Sequence, residues 1–302
     1  MPILPAAPPI AVPQLSGFDY VVIDAARRRV YAAHTGSQAL LIVDADTGTV
    51  KGQVRTGPLH GIAVDSATGH VFTGNGDGDS VSEIDPVALA VLHTTDVAGH
   101  VDAIAYDPST KRIFADEDDG TRVFVVDATT MNVAGTVAVP GHKPEYLALD
   151  DKAHVLFQNI SDLDEFVTID PATLRITSVV KTPAISGNHP LQYDPAYDHV
   201  LVGGKNGTFA AYMPNGRLVG TVAIQHSVDQ CSLDPASHLI ACAGSGELTV
   251  IRDNPNGAPT LVARAAIDAH AHTVAVDPTK LQAWVVWAGA SGDEIQPFSI
   301  RP

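Results

Sequence analysis

The chain has 302 residues, is 45% hydrophobic, and carries 34 acidic against 18 basic residues, for a net charge of −16. Nucleic acids and anionic membrane surfaces are bound through clustered Lys and Arg, so this charge balance argues against both as partners. No stretch approaches the roughly 20 apolar residues that span a bilayer, so we expect no membrane insertion. The first residues show no signal peptide, so either the protein is cytoplasmic or a leader has been removed.

Seven segments of similar length repeat along the chain, and each contains an Asp that closes a short apolar stretch. The spacings between consecutive marker aspartates are 41, 42, 43, 44, 40 and 43 residues. Repeats of this length with β-type alternation are typical of four-stranded propeller blades. The seven marker residues are Asp24, Asp65, Asp107, Asp150, Asp194, Asp234 and Asp277.

The third repeat, residues 101–139, shows the predicted blade in full. Alternating β-branched residues separated by Asp-containing turns predict four strands, and no segment of 12 or more residues has a helical period. The predicted strands A to D are Asp102–Tyr106, Arg112–Ala115, Thr121–Val126 and Asn132–Val139.

We therefore predict an all-β fold, a seven-bladed β-propeller of four-stranded antiparallel blades in a single domain, residues 1–302. The blades begin near residues 18, 59, 101, 144, 188, 228 and 271, after a flexible segment 1–8. The seventh repeat lacks a strand D, and the segment Pro9–Leu15 has no partner of its own. We expect that segment to complete the last blade, which closes the ring and leaves no open edge.

Three stretches carry a family resemblance: LLIVDADTGTVKGQV, GIAVDSATGHVF and VFVVDATTMNVAGTVAVPGHKPEYLALD. They resemble the YVTN-type (YncE-like) β-propeller repeat family over essentially Phe18–Ile300. The resemblance implies the seven-bladed fold. Related propellers include copper and other metal enzymes, lactonases, lyases and binding scaffolds, and exported relatives imply a periplasmic or secreted protein.

One position in every repeat carries an ionisable or metal-binding side chain. Five residues before each marker Asp, the chain enters the innermost strand, and in a closed ring these positions meet around one axis at the mouth of the central channel. We call them the ring-slot residues. They are Asp19, His60, Asp102, Glu145, His189, Asp229 and His272.

Carboxylates crowded around one axis repel one another unless a cation offsets their charge. A divalent metal resolves that conflict, and mixed imidazole and carboxylate ligands suit Zn²⁺ best, with Mn²⁺, Fe²⁺ and Cu²⁺ as alternatives. The predicted ligands are His60, Glu145, His189, Asp229 and His272. A hydrogen-bonded ring that only fixes blade geometry and a metal-free acid/base site remain open.

Further candidate residues surround this ring. Asp19 and Asp102 are predicted to act as catalytic proton acceptors. Residues expected at the same mouth, in contact with the ligands or with a substrate, are His34, His100, His142, His226, His270 and Glu117. Cys231 and Cys242 fall on adjacent predicted strands, and we expect two buried free thiols there.

The site chemistry and the analogy with other propellers favour a metal-dependent hydrolase of a small ester, lactone or phosphoester. A bound metal would polarise the substrate oxygen and lower the pKa of water. Two alternatives remain: a copper or iron oxidoreductase using the same histidines, or a non-enzymatic binding scaffold. We expect a monomer whose partner is a small-molecule substrate.

Overall fold

A computed structural model describes residues 2–12, 16–290 and 292–301. Seven antiparallel sheets form a ring, and the innermost strand of each blade contacts that of the next. The innermost strand of blade seven contacts that of blade one, so the ring is closed. The predicted seven-bladed propeller is confirmed.

Blades one to three each contain four strands, which we letter A to D from the channel outward. Blade one comprises Val21–Asp24, Arg29–His34, Ala39–Asp44 and Val50–Arg55. Blade two comprises Leu59–Val64, Val71–Asn75, Ser80–Asp85 and Ala90–Asp96. Blade three comprises Val101–Asp107, Arg112–Glu117, Arg122–Asp127 and Asn132–Ala138, within two residues of the predicted bounds.

Blades four to six follow the same order. Blade four comprises Pro144–Asp150, Val155–Ile160, Glu165–Asp170 and Arg175–Lys181. Blade five comprises Asn188–Asp194, His199–Gly204, Thr208–Tyr212 and Leu218–Ala223. Blade six comprises Gln230–Asp234, Leu239–Gly244, Glu247–Asn254 and Gly257–Ala266. The helical segments among the described residues are two 3₁₀ turns, Thr35–Ser37 and Ser161–Leu163, and none could cross a membrane.

Blade seven is completed by the N-terminal segment, as expected. Its strands A to C are Thr273–Asp277, Gln282–Gly289 and Gly292–Ser299. Ile10–Val12 pairs with the last of these, and Leu4–Pro5, within the segment expected to be flexible, pairs with its far end. Residues 13–15 of the predicted closing segment lie outside the described residues.

Burial follows from the strand sequences. Strands B and C read as continuous apolar runs because both of their faces lie between blades, as in Ala39–Asp44 and Arg122–Asp127. Strands D alternate and are largely exposed, as in Asn132–Ala138. The most buried strands therefore lie in the middle of each blade, between the channel and the exposed outer strand.

The marker aspartates end strands A at the face opposite the mouth. Four residues after each one, the backbone adopts a positive φ, which closes a tight turn into strand B. The seven residues in this conformation are Arg28, Gly69, Lys111, His154, Asp198, His238 and Leu281. The same turn geometry therefore recurs in all seven blades, and only one of these turns has glycine at the positive-φ position.

The two cysteines form a disulfide across strands A and B of blade six, so the expected free thiols are wrong. Cys231 and Cys242 lie directly opposite each other in the antiparallel ladder, and both are fully buried. Adjacent strands were predicted correctly for this pair. The sequence did not predict the register of the two strands. In the structure the two cysteines are directly opposite each other, which brings their sulfur atoms close enough to form a bond.

Candidate functional site

The seven ring-slot residues lie around the channel mouth, because the ladder is interrupted where strands A begin. In blades two to five the pairing register shifts at the slot, as between Leu59 and Ile62 and between Glu145 and Leu147. Such bulges redirect a side chain out of the sheet. In blades one, six and seven the slot residue lies just before the paired strand.

The mouth encloses a cavity of about 220 Å³. Among the described residues its lining is mainly acidic and polar, with one aromatic ring. The lining residues are Asp19, Tyr20, Asp102, Asp118, Glu145, His189, Asp229, Gln230 and Thr273. The volume equals that of about seven water molecules, so the cavity suits a small ligand.

On one side of the mouth, His60 lies between two carboxylates. Its Nδ1 atom forms a close ion pair with Asp19 and lies 3.7 Å from Asp102 Oδ1. The Tyr20 hydroxyl donates a hydrogen bond of 3.5 Å to the other oxygen of Asp102. Asp102 is therefore held from two sides, with one oxygen toward an imidazole and one toward a phenol.

On the other side, His189 bridges two carboxylates. Its Nδ1 atom lies 2.8 Å from Glu145 Oε2, and its Nε2 atom forms a close ion pair with Asp229. Burial alone would lower the pKa of His189, but hydrogen bonds to Asp229 and Glu145 outweigh it and raise the pKa from 6.5 to about 10. His189 is therefore cationic at neutral pH.

His272 completes this side with one nitrogen free for a ligand. Its Nδ1 atom lies 3.0 Å from the backbone oxygen of His270, to which it donates when protonated there, and its Nε2 atom lies 3.7 Å from Asp229 Oδ2. A hydrogen bond at one ring nitrogen fixes the tautomer and leaves the other nitrogen as an electron-pair donor. His270 thus contacts a ring-slot residue through its carbonyl rather than its imidazole.

Two groups of three ring-slot residues bring their ligand atoms within 4.8 Å of one another. One is Asp19, His60 and Asp102, and the other is Asp19, Asp229 and His272. Asp19 belongs to both, although the sequence predicted it as a proton acceptor. The predicted ligands Glu145 and His189 fall in neither group and are engaged with each other.

The donor set fits a divalent cation in composition. Imidazole nitrogens with carboxylate oxygens suit Zn²⁺, Mn²⁺ or Fe²⁺. Burial raises the pKa of Asp102, and the nearby charges of Asp19 and Asp116 raise it further. For Asp229, burial raises the pKa, but the hydrogen bond and charge of His189 outweigh it and lower the pKa. Asp229 is thus ionised as a ligand must be, and Asp102 is the more basic of the two carboxylates.

Below the mouth, a polar layer occupies the channel. Asp116 is fully buried and accepts hydrogen bonds from the Ala103 amide and the Gln158 side chain, at 2.7 and 2.9 Å. The side chains of Gln192 and Gln230 each donate 3.3 Å hydrogen bonds to the Tyr146 hydroxyl. This hydrogen-bonded layer lies directly below the cavity at the channel mouth.

The sequence analysis missed the residues that follow the slot. Tyr20, Gln230 and Thr273 line the cavity and Tyr146 lies under it, and each comes directly after a ring-slot residue. All four share this position in the repeat, so examining the residue after each slot could have found them. Asp118 also lines the cavity, and nothing in the repeat pattern singles it out.

Several predicted neighbours of the site do not reach it. His34 is fully buried against Asp293 at 2.6 Å and stacks on Phe18, so it belongs to the contact between blades one and seven. Glu117 is held by Arg122 and accepts a hydrogen bond of 3.0 Å from the Thr121 amide. Neither side chain is among the residues that line the cavity, because each is paired with a charged residue elsewhere.

The remaining histidines form no inner ring. His100 lies 3.0 Å from Asp79 on an exposed loop, and His142, His226 and His270 are exposed. Within the described part of the chain, no hydrogen bond or ion pair joins the imidazole of any of these four to a ring-slot side chain. A position seven or eight residues before the marker lies on the rim and projects outward.

Solved structures of other propellers resemble the whole chain. A chain of "Kuenenia stuttgartiensis Hydrazine Synthase" matches with a TM-score of 0.79 and 14% identity, over 95% of this chain and 96% of that one. A chain of "Crystal Structure of Mitotic Checkpoint Complex" gives a TM-score of 0.83 at 14% identity, covering 99% and 92%. The Myceliophteria thermophila Cps50 (Swd1) β-propeller domain gives 0.81 at 14% identity, covering 99% and 100%.

These similarities establish the propeller fold alone, because identity is low and one fold hosts many functions. No protein-family model and no curated protein sequence matches this chain. The function therefore has to be argued from the site itself.

Proposed function

We propose that this propeller is a metal-dependent hydrolase of small esters, lactones or phosphoesters, and that it belongs to the YVTN-type repeat family. The observation that carries the proposal is the convergence of Asp19, Asp229 and His272 beside a small open cavity. Three protein ligands with open positions are typical of catalytic rather than structural zinc sites.

Of the two candidate groups, we assign the cation to Asp19, Asp229 and His272. The Nδ1 atom of His272 faces a backbone oxygen, which directs its Nε2 atom toward Asp229, whereas the Nδ1 atom of His60 is already paired with Asp19. The low pKa of Asp229 favours the ionised ligand. Zn²⁺ suits this donor set best, and Mn²⁺ or Fe²⁺ is an alternative. When bound, such an ion would supply a Lewis acid and an activated water.

We assign the proton acceptor to Asp102. Its pKa is raised by burial and by Asp19, so its basicity lies closer to neutral pH than that of an ordinary carboxylate. Its two oxygens contact Tyr20 and His60, which keep the carboxyl directed into the cavity. Glu145 and His189 would act as a fixed ion pair that orients Asp229.

The disulfide supports a related proposal on location. Disulfides persist in oxidising compartments and are rare in the cytosol. The Cys231–Cys242 bond therefore favours a periplasmic or secreted protein. This agrees with the expectation drawn from the family resemblance.

The first test is the metal content of the purified protein, measured by elemental mass spectrometry before and after chelation. We expect about one equivalent of Zn, Mn or Fe per chain, with loss of that metal in Asp19→Asn. The matched control is Asp119→Asn, which removes the same charge from an exposed residue that pairs with Lys143 at 2.9 Å outside the cavity. The control should retain the metal.

Hydrolysis of a panel of esters, lactones and phosphoesters then tests the activity. Asp102→Asn should keep the metal and lose about 10²–10⁴-fold in kcat, as expected when a general base is removed. Copper in place of zinc would instead favour the oxidoreductase. A metal-free protein that hydrolyses nothing would leave a binding scaffold.

A further inference from the structure

Asp118 is the one carboxylate of the cavity wall, among the described residues, whose side chain forms no hydrogen bond or ion pair. The other four all have side-chain partners: Asp19 with His60, Asp102 with Tyr20, and Glu145 and Asp229 with His189. Asp118 is exposed at the end of strand B of blade three and lines the cavity. Its charge is therefore free to meet a ligand.

Positive charge is scarce around this carboxylate. Five carboxylates line the cavity, and within the described part of the chain no Lys or Arg side chain does. The nearest Lys at the rim, Lys143, is paired with Asp119. Partial desolvation raises the pKa of Asp118, and the charges of Asp119 and Glu145 raise it further, whereas the imidazoles of His60 and His100 offset part of this rise.

Carboxylates outnumber cationic side chains at this mouth. Five carboxylates line the wall, and they face two imidazoles: the cationic His189, and His60, whose pKa burial alone would lower but the contact with Asp19 raises. The metal-free mouth is therefore negative when its carboxylates are ionised. This charge would repel an anionic ligand, and the wall has no Arg or Lys side chain to bind one. A cation would instead be attracted into the cavity.

One phenol lies in the cavity wall. Tyr20 is 8% exposed, its hydroxyl donates to Asp102, and its ring packs against that of Tyr146 with centroids 5.6 Å apart. Aromatic faces attract organic cations, quaternary ammonium groups above all. The space of about 220 Å³ accommodates a small ammonium compound.

We propose that the mouth selects ligands bearing an alkylammonium group, which Asp118 binds at the rim of the cavity. The inference rests on the proposed function and narrows it, because it favours cationic esters and disfavours phosphoesters. It assigns Asp118 to substrate recognition and leaves proton transfer to Asp102.

An isosteric pair of probes tests the binding. Choline and 3,3-dimethylbutan-1-ol share shape and hydroxyl and differ only in the positive charge, and inorganic phosphate supplies an anion. Calorimetric titration of the full chain, with and without metal, should give choline an affinity at least about tenfold above its neutral isostere. Equal affinities for the two, or tighter binding of phosphate, would overturn the proposal.

A charge-matched pair of variants locates the binding. Asp118→Asn should abolish most of the choline preference, while Asp119→Asn, one residue away and outside the cavity wall, should preserve it. Circular dichroism checks that both variants fold. An unchanged preference in Asp118→Asn, or an equal loss in both variants, would show that choline is not held by Asp118.

Hydrolysis of the acetate esters of the same two alcohols separates this inference from the proposed function. We expect the cationic ester to have the higher kcat/KM, through a lower KM that rises in Asp118→Asn while kcat is kept. Equal turnover of both esters would support the hydrolase and overturn the ammonium selectivity. Choline binding that depends on Asp118, without turnover of either ester, would support the selectivity and overturn the hydrolase.

Discussion

The imidazole of His189 offsets much of the negative charge at the channel mouth. Its two nitrogens face Glu145 and Asp229, so in the cationic form it offsets two carboxylates that would otherwise repel each other. Removing it would leave Glu145 and Asp229 unpaired at a half-buried position, which is costly. The histidine therefore links the stability of the fold to pH.

We predict that the free energy of unfolding falls as pH rises from about 6.5 to about 10. In that window the folded protein keeps the proton on His189, whose pKa is about 10, while the unfolded chain has released it. The stabilisation is full below pH 6.5, and the slope reaches up to about 1.4 kcal/mol per pH unit. Chemical denaturation of the chelated protein at several pH values measures it.

The variant His189→Gln isolates this contribution. It should be less stable than the parent chain near pH 6.5, and the difference between the two should shrink toward pH 10. The exposed His93→Gln serves as the control and should parallel the parent chain. A constant difference between His189→Gln and the parent chain across the window would contradict the assigned pKa.

At the scale of elements, Asp293 joins the two ends of the ring. It is fully buried on the last strand of blade seven, where it accepts hydrogen bonds from the Ser16 and Gly17 amides at 2.9 and 2.8 Å and contacts His34. One carboxylate thus ties together the N-terminal segment, blade one and blade seven.

Asp293→Ala should lower the free energy of unfolding by about 3 kcal/mol, because it strands two amides and an imidazole without their acceptor. Denaturant titration measures the loss. Glu294→Gln, at the next and less buried position, should change it by less than about 0.5 kcal/mol. Equal effects of the two substitutions would show that the contacts of Asp293 contribute little to the stability of the ring.

The disulfide gives a second prediction for an element. Thiol titration of the denatured protein should detect no free thiol without reductant and two with it. Because the bond closes a loop with a sequence separation of 11 residues, Cys231→Ala with Cys242→Ala should cost about 3 kcal/mol. Detection of two reactive thiols without reductant would contradict the disulfide and support the free thiols predicted from sequence.

The fold could be predicted from sequence because each blade repeats the same local signals. The marker Asp, the tight turn after it and the apolar runs of strands B and C recur seven times, so an error in one blade is corrected by the others. The disulfide and the pairing of Leu4–Pro5 depend on unique contacts that occur once, and no periodicity reports them.

Across the whole molecule, a metal at Asp19, Asp229 and His272 would connect blades one, six and seven, on both sides of the point where the ring closes. The closing strand is short and contributed by the N-terminal segment, so it is a natural place for opening. A ligand bound only by the folded state there would stabilise the entire ring.

We predict that Zn²⁺ at 100 times its Kd raises the free energy of unfolding by about 2.7 kcal/mol. Differential scanning calorimetry of the chelated and reloaded protein measures the accompanying rise in Tm. Asp19→Asn should show no such rise, whereas Asp119→Asn should behave like the parent chain. A rise of equal size in Asp19→Asn would place the ion elsewhere.

The candidate site was only partly predictable for a physical reason. The period placed all seven ring-slot residues at one mouth, because it fixes which positions face the axis. It did not specify which of them pair with each other, so Glu145 and His189 were expected as ligands although they form an ion pair. Pairing depends on which side chains of different blades come into contact, and sequence spacing does not encode these contacts.

The way blade seven is closed also affects the order in which strands can pair during synthesis. Ile10 pairs with Ile295, so this strand leaves the ribosome long before its partner is made. At about 5–20 residues per second, the N-terminal strand waits on the order of 15–60 s before that partner emerges. Six blades can form during this interval, while the N-terminal strand remains an unpaired edge that is open to pairing with another chain.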